Sequence, residues 1–136
     1  MSTTTYINSS KTIKDQVETI TGATTLNAGD SGKVFILSAA EGAPIRLPSP
    51  MAGVNYKFIV GSAFATNDWE IVSATNVTQG SVIVAGAHVA GSNENTVSFA
   101  AVKGIIGDFV EYVSDGTSWF VNGSGVTSGA ITFTAP

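Results

Sequence analysis

The sequence predicts an all-β fold, a single-domain sandwich or jelly-roll-like barrel of roughly nine or ten short antiparallel strands. Three observations carry this expectation. Short runs dense in Val, Ile, Phe, Tyr and Trp recur along the chain, and these residue types suit a pleated, half-buried surface. Gly, Pro, Asn and Asp separate the runs and supply turn chemistry. No stretch places apolar residues at helical spacing, and no repeat of fixed period is present.

Residues 1–12, MSTTTYINSSKT, form a polar arm with the apolar pair Tyr6-Ile7. The pair is a candidate contact with a neighbouring chain, and the alternative is a loose terminus. Residues 13–20 (IKDQVETI) favour a strand through Val17, Thr19 and Ile20. Residues 1–20 are therefore an N-terminal arm or first strand, and residues 21–136 the β domain. Residues 24–32 (TTLNAGDSG) are turn-rich, and 33–38 (KVFILS) read as a buried strand. Residues 44–47 are briefly extended, before Pro48 and Pro50 rule out a helix or a central strand.

Residues 54–60 (VNYKFIV) alternate, with Val54, Tyr56, Phe58 and Val60 on one face and Asn55, Lys57 and Ile59 on the other. Strands follow at 69–73 (WEIVS) and 81–84 (SVIV). The glycine-containing stretch around His88, GAHVAGSNEN, reads as a loop. Residues 96–101 (TVSFAA) form another strand, 103–107 a linker, and 130–134 (AITFT) the last strand.

Residues 107–125, GDFVEYVSDGTSWFVNGSG, read as a hairpin turning at Asp115-Gly116. A two-residue turn sets Tyr112 opposite Trp119 and Val110 opposite Val121. The other face then carries Phe109, Glu111, Val113, Phe120 and Asn122. Neither face is properly polar, although a sheet with one wet side alternates cleanly. One face closes the core, and the other meets a second layer or a second subunit.

Composition bounds the function. The 136 residues suit one domain with its own core. The absence of cysteine excludes disulfides and thiolate chemistry, and fits folding in a reducing cytosol. A net charge of -4 with six Lys+Arg gives no footprint for nucleic acid or for an anionic membrane surface. No run approaches the ~20 apolar residues of a membrane helix, and the first residues do not read as a secretory signal. Charged residues make up 12% of the chain, about half the ~25% of ordinary soluble domains. Mean hydropathy is +0.28. Either other protein chains cover part of the surface, or a Ser/Thr-rich surface keeps it soluble.

Candidate chemistry is sparse. Gly29-Asp30-Ser31-Gly32 matches the start of the motif around the nucleophile of chymotrypsin-like proteases. That mechanism needs a histidine base and an orienting aspartate. The only histidine, His88, follows the serine instead of preceding it, and Lys33 replaces the motif's second glycine. The tetrapeptide reads as a turn. His88 has no His/Cys cluster around it for zinc. Asp68 and Glu70 share a strand face, a pattern open to Ca²⁺ or acid–base work, but with no second pair they read as a wet face. Tyr112, Trp119 and Phe120 are sugar-stacking candidates, although hairpin aromatics are commonly core. No enzyme, cofactor or metal is expected.

Four segments carry a resemblance: AGDSGKVFIL (28–37), IRLPSPMAGVNYKFIV (45–60), GDFVEYVSDGTSWFVNG (107–123) and GAITFT (129–134). Together they resemble the small β-rich head decoration, or cement-like, proteins of tailed bacteriophages, over most of residues 24–134. The Leu-Pro-x-Pro-x-x-Gly piece and the Ser-Asp-Gly-Thr-x-Trp hairpin are its strongest parts. The resemblance implies a virion protein made in the host cytoplasm. It implies a symmetric homo-oligomer, often a trimer, bound to the major capsid protein on the capsid exterior, with no catalytic site. Related β-modules occur in phage tail and fibre proteins, so a receptor- or glycan-binding domain is the alternative. Candidate subunit or capsid contacts are Tyr6, Ile7, Phe109, Val113 and Phe120.

Because Ser31 lacks a base, Ser31→Ala is expected to leave function intact. Labelling of Ser31 by a fluorophosphonate probe would overturn this reading.

Overall fold

Strands that alternate between two layers build the molecule, described here over residues 16–135 by a computed structural model. Tyr6 and Ile7 lie outside the described residues. The strands are β1 (Val17–Ile20), β2 (Thr24–Thr25), β3 (Val34–Leu37), β4 (Pro44–Arg46), β5 (Asn55–Val60) and β6 (Trp69–Val72). They continue with β7 (Thr78–Val84), β8 (Ala87–Glu94), β9 (Thr96–Phe99), β10 (Phe109–Ser114), β11 (Trp119–Gly125) and β12 (Ile131–Thr134). A seven-stranded sheet, β1-β3-β5-β10-β11-β7-β8, faces a five-stranded sheet, β12-β9-β6-β4-β2. The result is a β-sandwich around one apolar core.

The expectation of nine or ten antiparallel strands is corrected to twelve in mixed sheets. From β1 to β6 the chain changes sheet at every step. Strands two apart in sequence then return to the same sheet in the same direction. Hence β1 pairs β3, β3 pairs β5, β2 pairs β4 and β4 pairs β6, all parallel. Parallel neighbours need a crossover connection, commonly a helix. Here a strand of the opposite sheet makes each crossing. β11 also runs parallel to β7, while the remaining pairings are antiparallel.

Residues 87–94 form β8, where the sequence suggests a loop. Ala85 and Gly86, both at positive φ (51° and 81°), make the two-residue turn that folds β8 back on β7 from Val84↔Ala87 onward. Main-chain pairing holds this strand, and its small side chains leave no apolar signal.

The β10–β11 hairpin keeps its expected faces but not its expected register. Tyr112 lies opposite Val121, Val113 opposite Phe120 and Ser114 opposite Trp119, so the loop spans four residues, 115–118. A slip of two residues leaves every side chain on its original face. The Asp115 carboxylate accepts from the Thr117 and Ser118 amides at 2.9 and 2.8 Å, and Ser114 Oγ accepts from the Gly116 amide. In this loop Gly116 alone has positive φ, 99°.

Inward residues of the large sheet's central strands are mostly aromatic. Phe35 stacks on Phe58 with centroids 5.4 Å apart, Phe58 meets Tyr112 edge-on, and Tyr112 meets Trp119 edge-on at 6.1 Å. Tyr56 closes the group against Trp119 at 5.6 Å. Two members reach the main chain. Trp119 Nε1 donates to the Pro48 carbonyl at 3.3 Å, and the Tyr56 hydroxyl donates to the Asn27 carbonyl at 2.7 Å. Burial pushes the Tyr56 hydroxyl pKa up to about 12, with a smaller contribution from Asp30. The Tyr112 hydroxyl is buried without a protein partner, and burial raises its pKa well above the ordinary value.

The Gly-Asp-Ser-Gly segment is a turn, as expected. Asn27 caps a short 3₁₀ turn at Ala28–Asp30, and the Asp30 carboxylate accepts from the Asn27 amide in return. Ser31 Oγ accepts from the Asn55 amide. Lys33 Nζ lies 2.9 Å from both Asp30 and Glu18.

Trp119 has no exposed surface, so Trp119→Ala should cost about 3–5 kcal/mol, read as a lowered urea midpoint. An unchanged midpoint would place the ring outside the core.

Asp30 and Asp115 both sit below their ordinary carboxyl pKa of 3.8. The Asn27 amide and then the Lys33 ammonium hold Asp30 down, and the Ser118 and Thr117 amides hold Asp115 down. A depressed folded pKa stabilises above the unfolded value and loses that contribution as pH falls through the folded one. Stability should therefore fall as pH drops below about 4 and these carboxylates take up protons. The double variant Asp30→Asn, Asp115→Asn should show a shallower fall in urea midpoint in that range, and an identical slope would refute the assignment.

Candidate functional site

Strand pairing places the outward side chains of the seven-stranded sheet in ranks across it. One rank runs Thr19, Ile36, Ile59, Phe109, Ser124, Ile83 and His88. The next runs Val17, Val34, Lys57, Glu111 and Asn122. A third runs Asn55, Val113, Phe120 and Gln79. Of the sequence-predicted contact residues, Phe109, Val113 and Phe120 all lie on this face.

The face is open and mixes apolar with polar side chains. Val17 is 61% exposed, Val113 47%, Ile83 46% and Phe120 43%. Among the outward strand residues described, Lys57 and Glu111 alone carry full charge, and they neutralise one another at 3.6 Å. Lys57 Nζ also lies 4.7 Å from the Phe109 ring centroid, so its stem and charge cover that ring. Beside this pair is a shallow depression of about 340 Å³, bordered by Val34, Asn55, Glu111, Val113 and Asn122. At the far end, Gln79 and Asn93 join by their side-chain amides at 2.6 Å.

The five-stranded sheet presents a different exterior. Its outward ranks are Pro44, Glu70, Ser98 and Thr132, then Thr25, Arg46, Val72, Thr96 and Thr134. Hydroxyls and two charged side chains dominate there.

Sequence reasoning missed Val17, Val34, Ile36 and Ile83 as members of the outer face. Val34 and Ile36 fall in an unbroken apolar run, which carries no alternation to show which residues point out. Ile83 adjoins β8, the strand whose sequence reads as a loop.

Other candidates are placed apart. Trp119 and Tyr112 are core, which leaves Phe120 as the exposed member of that aromatic trio. The Asp68 carboxylate accepts from the Ala101 amide at 2.7 Å, and Glu70 faces solvent on the five-stranded sheet. Among the described residues no three His, Asp or Glu side chains gather as a metal site, and no helix is long and apolar enough to cross a membrane. At one end of the sandwich Val102, Ile105, Ile106 and Val126 are exposed. Buried Asp108 ties their loops together by accepting from the Ile105 and Val126 amides.

No protein-family model, curated protein or solved structure matches the chain.

Proposed function

We propose that this chain is a non-enzymatic structural protein of a phage particle, a decoration or cement protein that stabilises the head as a homo-oligomer on its outer surface. The observation that carries the reading is the outer face of the seven-stranded sheet. It offers four strongly exposed aliphatic or aromatic side chains, and its two full charges cancel. Exposed apolar side chains gathered on one sheet face mark a contact with other protein, and Val113 and Phe120, which lie directly opposite one another across β10 and β11, form its centre. A closed symmetric assembly covers the same patch on every copy, and a trimer is the arrangement that the phage resemblance implies most often.

The mechanism under this reading is mechanical. Each added subunit binds the assembled shell and not its separated capsomers, so mass action shifts the balance toward the intact head. The partner is the major capsid protein. The low charge of the chain suits a protein that works in a crowded shell.

Sedimentation velocity at micromolar concentration should find an oligomer. Phe120→Glu and Val113→Glu should give a smaller species with an unchanged far-UV β signal, because both side chains are already about half exposed and charging them leaves the core intact. A wild-type monomer, or variants that sediment like wild type, would overturn the face contact. Cryo-electron microscopy of the particle tests the location, and density for this chain inside the head or on the tail would overturn the decoration role.

A further inference from the structure

No strand pairs with the outer edge of β8 among the described residues, although its Gly91 end packs against Phe133 of β12. β8 ends the large sheet, and β7 pairs with only one of its sides. Hairpin geometry fixes which main-chain groups point away. The two-residue turn makes Val84 and Ala87 a hydrogen-bonded pair, and antiparallel pairs alternate from there. Val89 and Gly91 therefore bond to β7, while the N–H and C=O groups of His88 and Ala90 point outward.

Soluble proteins guard such edges with charges, prolines or very short strands. β8 has eight residues, and from Ala87 to Asn93 it carries no proline and no Lys, Arg, Asp or Glu. By contrast β2 has two residues, and β1 and β12 have four each. The open edge at His88 and Ala90 is the long one, and it lacks the usual protection.

We propose that β8 is a sheet-extension site whose occupant is β8 of a second copy, added antiparallel about a two-fold axis at Val89. Self-pairing matches the outward groups without adjustment. His88 of one copy meets Ala90 of the other, so each outward N–H finds an outward C=O, and Val89 lies opposite Val89. No like charges oppose across the seam. A two-fold axis normal to the sheet also keeps both outer faces on the same side. The rank that ends in His88 then meets Ala90 and Ser81 of the second copy.

This contact is separate from the face contact proposed above and rests on different observations. Its few main-chain hydrogen bonds make it weak between free molecules. Copies held side by side on a shell would raise the effective concentration and strengthen it. Neighbouring oligomers would then be tied edge to edge.

The natural absence of cysteine makes a direct test available. In the symmetric pair, the new thiol of Val89→Cys would face its own copy at a non-hydrogen-bonded position. That is the close pair, with Cα atoms about 4.5 Å apart, within disulfide reach. The thiol of His88→Cys would be displaced by two residues, beyond the ~7 Å limit for a disulfide. Both substitutions are placed in the Phe120→Glu background, so that the face contact does not contribute. Under oxidation, the Val89→Cys chain should migrate at twice its mass on a non-reducing gel, and the His88→Cys chain should not. Adding Ala90→Pro should abolish the cross-link while keeping the β signal, since that N–H makes no bond to β7. Failure of the Val89→Cys chain to cross-link, equal cross-linking at both positions, or cross-linking that survives Ala90→Pro in a folded chain would each overturn the pairing.

Discussion

The ring cluster of Phe35, Tyr56, Phe58, Tyr112 and Trp119 is the contact on which the rest of the structure depends. It joins three consecutive strands of the large sheet, β3, β5 and β10, to β11. Edge-on and offset ring pairs add about 0.5–1.5 kcal/mol each beyond the area they bury. Their polar tips also fix loops. Trp119 holds Pro48, whose segment packs over the 115–118 turn, with the Gly53 amide donating to the Ser114 carbonyl. Tyr56 holds Asn27, the cap of the 3₁₀ turn. Segments far apart in sequence thus meet around one cluster. The AGDSG turn, the Leu-Pro-x-Pro loop and the Ser-Asp-Gly-Thr-x-Trp hairpin are its supports.

From β1 to β6 the chain crosses between the two sheets at every step. A strand crossing is shorter than a helical one, and it places an apolar strand on each side of the core in turn. Phe35 and Tyr56 come from the large sheet, while Ile45 and Ile71 come from the small one. Each crossing therefore adds to both walls. The consequence is parallel pairing among β1 to β6, while the second half contributes the β7–β8 and β10–β11 hairpins and the parallel β7–β11 pair.

What the sequence revealed depended on parity. Strand faces follow a period of two, so any error of two residues leaves them unchanged. Phe109, Val113 and Phe120 could be placed outward although the loop at Asp115 is two residues longer than the sequence suggests. The faces of β5 were legible for the same reason. Pairing partners were not legible, because a Val or Phe in a buried strand packs alike beside a parallel or an antiparallel neighbour. β8 was invisible because AHVAGSNE has no apolar alternation. Its one signal was the Ala85-Gly86 turn, where alanine at positive φ is an unusual partner for glycine.

The two exteriors show how a chain with so few charges divides its surface. The small sheet turns Glu70, Arg46, Thr25, Thr132 and Thr134 toward water, while Thr96 and Ser98 between them are buried. The large sheet commits its two outward charges to each other and lays the Lys57 stem over Phe109. An internally paired Lys and Glu need no ion pair from a partner, so a neighbouring protein can approach without leaving either charge buried alone. A lone Lys57 would instead demand a matching carboxylate at a fixed place on whatever covers it. The Lys57–Glu111 pair relaxes that requirement for any protein that covers this face.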